Sequence, residues 1–498
     1  MAILTIDLGT SAAKVLIFDT AGQVLAQARA DYPTHRPQPG WAEQDPADWW
    51  QAVVRATVSL RPFLDRLRES VDAIGLTGQM HGPVLLGKNG NTLGPCFIWM
   101  DSRAQKESET LNEVFGPDQL MRITGNFCVP AFPVAKLSWF RSNAPTLYEQ
   151  VRYILMPKDY IGYLLTQKIA TDPSDASGTL LYDQKAGYWS DKLLEWVSLP
   201  PSVLPPVIGS TEVLGTLTAR AAQELHIPPG VPVIKGAGDL ATSALGLGVV
   251  APGSAGLILG TAGQLLLYSD RWPERLLGNI YVFSHAISKA YLALGTVPAG
   301  GASLFWIIKL LGGDISSYEE SAAKLLRLAE EAAPGAQGLI FWPYLAGTGT
   351  PYMDYQARGA FLGLTERHGP GELVRAVMEG VAYALRDSLD FILSHGFVVE
   401  DLQVAGGAMK EKLWVHILAD VFRRPLRISH TLDASSLGAF VLAAVGIGCY
   451  ADPIQACKAV IKTSDPILPT SLAGLYESHY LRFRSLYQAL VKVQRWTH

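Results

Sequence analysis

Cysteine is scarce, with Cys96, Cys128, Cys449 and Cys457 the only four among 498 residues. They make no CxxC pair and no Cys/His cluster, so reduced, structural thiols in a cytoplasmic protein are expected. Charge is scarce too. Asp, Glu, Lys and Arg together are 17% of the chain, and the formal net charge is −4. That gives no electrostatic case for nucleic acid or for an anionic membrane as partner. Apolar runs such as 437–448 are short for a membrane span and are broken by glycine. No basic stretch precedes an apolar one at the start, so no signal peptide is expected. What is abundant is apolar residues, 49% of the total. A chain this long exceeds one ordinary core, and two domains of roughly 200–250 residues fit the usual size range.

The opening MAILTIDLGTSAAK organises the rest. Ile3 to Ile6 read as a short buried strand. Asp7 follows at its end, Gly9 allows a tight turn, and Thr10 and Ser11 place hydroxyls beside backbone N–H groups. Such a turn suits phosphate oxygens. A carboxylate at Asp7 could hold a hydrated Mg²⁺ against them. Lys14 adds a positive charge as a second strand, Lys14 to Phe18, begins. Taken alone, the string fits an ordinary hairpin with a solvated Asp equally well. A second copy, LILGTAG at 257–263, repeats strand, Gly260, Thr261, a small residue and a following strand, Gln264 to Tyr268. Two such turns, one in each half, suggest two related domains gripping a polyphosphate.

Several strands deliver polar groups at their ends. Val71 to Thr77 runs into Gln79-Met80-His81-Gly82. There Gln79 and His81 could bond sugar hydroxyls and Met80 could pack on carbon, although a strand-end His bonded to backbone is the plainer alternative. Cys96 to Trp99 is expected to end the same way, with Asp101 and Arg103. Between these, Asp45-Pro46 reads as an N-cap and first-turn proline for a helix over Ala47–Leu60. Residues 104–150 read as helical and then loop-like, with a turn at Arg122–Asn126. Asp172–Thr179 reads as a polar turn supporting a sugar site from behind.

Val231 to Lys235 is a strand ending in the turn Gly236-Ala237-Gly238-Asp239. Asp239 is the best general-base candidate, because phosphoryl transfer to a hydroxyl needs a group that accepts the proton. The alternative is a helix N-cap Asp. In the second half, Pro298–Ser303 opens a helix through Leu311. Asp314–Ala333 reads as an amphipathic helix, Glu372–His395 as a long one, and 465–498 as a helical tail. Leu402–Ala405 is a strand followed by Gly406-Gly407 and Lys410, a turn and helix that read as an adenosine pocket.

The strings IDLGTS, GWAEQDPADWW, GLTGQMHG, IWMDSR, ITGN, LMPKDY, SDASGT, GAGD, LGT, WPYL, GLT and VAGGAMKEKLW resemble the FGGY carbohydrate kinases, and within them the xylulose kinases, over nearly the whole chain. The resemblance implies an α/β protein of the two-domain actin-like ATPase (ribonuclease H-like) fold with an interdomain cleft. It implies a sugar-binding domain at 1–245 and a nucleotide-binding domain at 246–498. The implied reaction moves the γ-phosphate of ATP to D-xylulose, giving D-xylulose 5-phosphate, in a cytoplasmic homodimer. Asp239 would be the base, and Asp7 would work with Mg²⁺. Thr10, Ser11, Lys14, Gly260 and Thr261 would hold phosphates. Met80, His81, Gln79, Trp99, Asp101 and Arg122 would line the sugar. Gly301, Gly406, Gly407 and Lys410 would contact the nucleotide.

Three departures from the family pattern stand out. Leu240 follows the base where the family has Asn or Gln, Ala262 replaces a serine, and Thr348-Gly349-Thr350-Pro351 replaces Glu-Arg-Thr-Pro. The first touches substrate choice, because a polyol site selects by hydrogen bonds. A kinase for another ketose or polyol is therefore the nearest rival. A nucleotide-binding module without transfer, such as a filament-forming actin relative or a sugar sensor, is the rival from another class. Keeping both Asp7 and Asp239 argues against the sensor, and the sugar-facing strings argue against the filament.

Overall fold

The computed structural model describes residues 2–67, 71–312, 318–431 and 433–494. Two six-stranded mixed sheets carry these residues. In the first, β1 (Ala2–Leu8) and β2 (Ala12–Asp19) form a hairpin, and β3 (Val24–Asp31) continues antiparallel to an edge. On the other side of β1 lies β4 (Val71–Gly78), parallel to it. At the far edge β5 (Val213–Thr216) runs antiparallel to β6 (Pro232–Gly238), which is parallel to β4. β1 is central, and all of its residues are buried. That is why it reads as a continuous apolar run rather than an alternating one. Exposed positions are confined to strands such as β3, at the edge.

The second sheet repeats this plan. β7 (Gly253–Leu259) and β8 (Gly263–Ser269) form the hairpin. β9 (Tyr281–Ser284) pairs with β10 (Tyr291–Val297), which lies beside β8. β11 (Val399–Ala405) is parallel to β7, and β12 (Leu426–Ile428) is parallel to β11. With the edge strands β5 and β9 set aside, both sheets have one order: two antiparallel neighbours on one side of the first strand and two parallel strands on the other. The Gly-Thr turns close the first hairpin of each.

Helices fill the layers around the sheets. α1 (Pro46–Ser59) begins as its sequence predicts: the Asp45 carboxylate accepts from the Ala47 N–H at 2.9 Å, and Trp49, Ala52, Val53 and Ala56 bury one stripe. α2 (Pro133–Asn143), α3 (Pro157–Thr166) and α4 (Pro173–Gly178) each start on proline. The loop expected before residue 150 is therefore helical at α2. Pro133 to Ser138 are all buried, so α2 has no polar face to make a 3.6-residue period visible. Arg122 lies in the last turn of a further helix, Pro117–Thr124, and the turn starts only at Gly125.

α5 (Asp239–Gly246) follows β6, and α6 (Gly301–Gly312) follows β10. α7 (Pro370–Ser394) is the core helix of the second half, with Val377, Val381 and Leu385 fully buried. α8 (Ala434–Gly446) follows β12, as α5 follows β6. The amphipathic helix expected from Asp314 is present as Tyr318–Glu331, and residues 313–317 lie outside the described ones. The tail is helical over Ala473–Gln494; 495–498 lie outside.

Two expectations about strand ends are corrected. The strand expected over Cys96 to Trp99 is only Cys96–Phe97, and it pairs with Glu43–Gln44 in a separate two-stranded sheet. Gly236 to Gly238 are not a turn but the end of β6, which bulges there. Gly236 takes φ +69°, and a Cβ on it would stand 1.7 Å from the Leu76 carbonyl oxygen, so only glycine fits.

α8 ties the halves together. Its Leu437, Phe440, Val441 and Ala444 share one core with Ile3, Leu16, Phe18, Ala73 and Ile234 of the first sheet. It crosses α5 so closely that a Cβ on Gly438 would lie 1.9 Å from the Thr242 carbonyl oxygen. Among the described residues no helix is long and apolar enough to cross a membrane.

Candidate active site

Asp7 is buried in β1, opposite Lys14 of β2 in the hairpin register. Its Oδ2 accepts a hydrogen bond from the Ser435 hydroxyl at 2.7 Å and lies 3.9 Å from the Lys14 ammonium. Lys14 is in turn 2.5 Å from Asp433, whose other oxygen caps α8 at the Ser436 N–H. Burial raises the Asp7 carboxyl to about 6, and the Asp433 charge adds to this against the pull of Lys14. Burial alone would discharge Lys14, but Asp7 and Asp433 outweigh it and raise its pKa. Asp239, in the first turn of α5, feels both Asp7 and Lys14. Burial first, and the Asp7 charge second, push it up to about 7. The N-cap of α5 is Gly238, so Asp239 is not spent on capping.

Thr10 and Ser11 form the turn above this pair. The Thr10 hydroxyl accepts from the Trp99 indole N–H at 2.9 Å, and its carbonyl accepts from Gln44 at 2.7 Å. Ser11 is exposed. Trp99 thus reaches the first Gly-Thr turn. Gln79 donates to the Gln44 side chain at 2.9 Å and lies buried behind that turn.

Met80 and His81 stand at the end of β4. Met80 packs against Gly238, just before Asp239: a Cβ there would meet its side chain at 2.7 Å. His81 has φ +68° and its Nδ1 lies 2.8 Å from the Gly178 carbonyl. Burial holds the ring down to about 4, so it is neutral at pH 7. Nδ1–H donates to that carbonyl, and Nε2 is left as an acceptor suited to a hydroxyl.

Asp101 does not present a free carboxylate. It accepts from the Ala42 N–H at 2.7 Å and from the Arg103 side chain at 2.9 Å, and Arg103 lies between the Trp41 and Phe97 rings. The pair joins the GWAEQDP and IWMDSR strings into one wall. Arg122 is exposed and, among the described residues, forms no ion pair.

The 172–179 segment is the short helix α4, and it connects both sides of the site. Ser174 Oγ accepts from the Gly238 N–H at 2.9 Å, while Gly178 holds His81. Beneath it lies a buried ion cluster. Lys158 is 2.7, 2.8 and 3.0 Å from Asp159, Asp172 and Asp175, and Lys235 is 2.5 Å from Asp159.

A second group forms in the other half. The Gly301 N–H donates to Gly260 at 2.8 Å and Ala302 to Thr261 at 3.0 Å, so α6 starts on the second Gly-Thr turn. Gly406 takes φ +108° with its Cβ position 2.4 Å from the Leu259 carbonyl oxygen, and a Cβ on Gly407 would meet nothing within 4 Å. The Gly-Gly turn therefore lies against the strand that carries Gly260. Lys410 is exposed at the end of a short turn, Gly407–Lys410.

The departures have structural counterparts. Leu240 is buried in the same core cluster as Met80, Phe132 and Phe283. At Gly349 a Cβ would lie 2.3 Å from the Thr296 hydroxyl, and Thr350 accepts from the Thr296 N–H at 2.6 Å. That loop is packed onto β10 with no room for a larger residue at 349.

Asp433, Ser435, Gln44 and Lys136 escape a sequence reading. Asp433-Ala-Ser-Ser before an apolar run is a cap signal, but nothing in the string places it beside Lys14, 419 positions away.

Paired sheets of one topology, the carboxylates of buried Asp7 and half-buried Asp239, and a Gly-Thr turn on each sheet define a phosphotransferase of the two-domain actin-like ATPase (ribonuclease H-like) fold. Residues 2–246 match the N-terminal domain, and residues 255–447 the C-terminal domain, of the FGGY family of carbohydrate kinases. The chain belongs to that family, whose members use ATP to phosphorylate an alcohol group of a sugar substrate. It is 34% identical over 487 residues to a xylulose kinase of Escherichia coli, covering 98% of each chain. The crystal structure of xylulose kinase from Rhodospirillum rubrum superposes with a TM-score of 0.92 at 29% identity, over 99% of this chain and 100% of that one. A gluconokinase of Bacillus subtilis is 27% identical over 460 residues, 89% of this chain and 87% of that protein.

Proposed function

We propose that the chain phosphorylates the 5-hydroxyl of D-xylulose with ATP. The observation that carries this reading is Asp239 within the field of Asp7 and Lys14, with Gly238 before it packed on Met80, and with Met80 and His81 both gathered at Gly178. A base whose pKa is lifted to about 7 is half ionised near neutral pH and accepts a hydroxyl proton more readily than an ordinary carboxylate. The relatives named xylulose kinase support the choice of sugar.

In this reading residues 1–245 hold the sugar and 246–498 hold most of the nucleotide. His81 Nε2 accepts from a sugar hydroxyl. Asp239 takes the 5-hydroxyl proton as that oxygen bonds to the γ-phosphorus, and the bond to the β,γ-bridging oxygen breaks to release ADP. Lys14, the two Gly-Thr turns and the Gly406-Gly407 turn hold the phosphates and adenosine. Closure of the halves keeps water, the competing nucleophile, away from the γ-phosphate. Asp7 fits a cation: its Oδ1 is buried without a hydrogen-bond partner. A hydrated Mg²⁺ held there would offset negative charge as it moves to the leaving ADP. A cytoplasmic homodimer completes the reading.

Leu240 favours a second reading, a different ketose or polyol, because its buried side chain offers no hydrogen bond to a sugar. ATP turnover with Mg²⁺ across a panel of ketoses, polyols and gluconate, with a no-sugar control, separates the two. D-xylulose alone stimulating is the expected result. Another sugar stimulating moves the substrate and keeps the mechanism, and none stimulating with ATP still bound leaves a binding module. Asp239→Ala is expected to abolish sugar phosphorylation while ATP still binds; near-normal turnover would remove Asp239 from its role.

A further inference from the structure

Lys136 on α2 is fully buried, yet among the described residues it forms no ion pair. Its ammonium instead donates to two backbone carbonyls, His81 at 2.7 Å and Ile98 at 2.9 Å. These are the ends of the two segments that carry the sugar-facing strings QMHG and IWMDSR. Burial drives its pKa down to about 7. An apolar side chain of similar length would fill this space but leave both carbonyls without a donor. Packing therefore does not account for a lysine here.

His81 accounts for it. Its φ of +68° is a left-handed conformation that a residue with a Cβ disfavours. In that conformation its ring reaches the Gly178 carbonyl at 2.8 Å while standing edge-on to Phe132 at 5.0 Å between centroids. A charge-assisted hydrogen bond to the carbonyl of the strained residue itself is the direct way to hold it. Phe132 precedes α2 and Lys136 is on its first turns, so one short segment supplies both the clamp and the ring contact.

We infer that Lys136 is a positioning residue for the sugar, acting through His81: it fixes the His81 backbone so that Nδ1 is committed to Gly178 and Nε2 stays free to accept from a sugar hydroxyl. This rests on the sugar-kinase reading above. The test compares wild type, Lys136→Met, Lys136→Gln and His81→Ala, alone and combined. Lys136→Met is expected to raise the ketose KM about tenfold or more, with the ATP KM and kcat within about twofold, since the lost contact serves ground and transition states alike. Lys136→Gln, which keeps a neutral donor, is expected to lie between and serves if the Met variant does not fold. In the His81→Ala background either substitution should add less than about twofold, because its route of action is gone.

¹⁵N-histidine spectra give a readout that needs no sugar. The resonance missing in His81→Ala should report a single Nδ1–H tautomer in wild type and a mixture in the Lys136 variants. Unchanged tautomer and unchanged ketose KM, or an equal loss for ketose and ATP, would overturn the inference. Wild type insensitive to every sugar, with the tautomer still released in the variants, would overturn the kinase reading and leave the clamp standing.

Discussion

Asp239 is held in a state that the fold resists. It and Asp7 titrate at about 7 and about 6 in the folded chain, both raised chiefly by burial. An unfolded Asp titrates near ~4. Between those values these two groups hold more protons in the folded chain than in the unfolded one, so their contribution to stability is fullest below about 4 and falls as pH rises through the window of about 4 to 7. Removing the charge should reverse this. Asp239→Asn is expected to lose turnover yet melt about 2–4 °C above wild type at pH 8 without nucleotide or Mg²⁺, the gap closing near pH 5. Differential scanning fluorimetry across pH measures it, and a lower melting point at pH 8 would contradict the assignment of strain to this site. For the wild type, kcat/KM should climb with pH through about 7 as the base ionises. Leu240, next in sequence, shows the limit of reading residues singly. Its side chain alone suggests a changed substrate, and its place in one core with Met80, Phe132 and Phe283 shows that it also serves packing.

Among the elements, α5 and α8 decide the geometry. They cross with backbone against backbone, and α8 brings Ser435 to Asp7 and Asp433 to Lys14. Gly438→Ala would drive a methyl to 1.9 Å from the Thr242 carbonyl oxygen. The helices must part, at a cost of about 3 kcal/mol, and with them the Ser435–Asp7 bond. Urea unfolding should show that loss together with reduced kcat; wild-type stability would mean that the crossing is slack. Strong periodic or capped segments such as α1 were legible before the structure, because Asp45-Pro46 and the Trp49, Ala52, Val53, Ala56 spacing both mark it. α2 was not, since its first six residues are all buried and leave no period there. The end of β6 was misread because glycine serves a bulge as readily as a turn, and the string Gly-Ala-Gly does not distinguish them.

At the scale of the whole molecule, the halves are not independent. The first sheet lacks one covering layer until α8 arrives from residues 434–446, supplying Phe440, Val441 and Leu442 to a core with Ile3 and Phe18. A chain ending after residue 250 would expose that apolar face to water. It is expected to aggregate or to melt without cooperativity, as read by circular dichroism, whereas adding residues 426–460 in trans should restore a cooperative transition. Stable, cooperative unfolding of the first half alone would contradict this dependence.

What the sequence determined by itself is the set of parts: two buried strand–Gly-Thr–strand hairpins, Asp7 and Asp239 at the ends of two strands, and the strings shared with the FGGY family. These are local, because strand burial, turn chemistry and capping depend on neighbours within a few positions. Only the tertiary structure decided which parts meet. Asp433 beside Lys14, Lys136 beneath His81, and Asp101 against the Ala42 N–H are long-range pairings set by how sheets and helices pack. No spacing along the chain encodes them, since each follows from burying apolar faces first and satisfying the polar groups that burial traps.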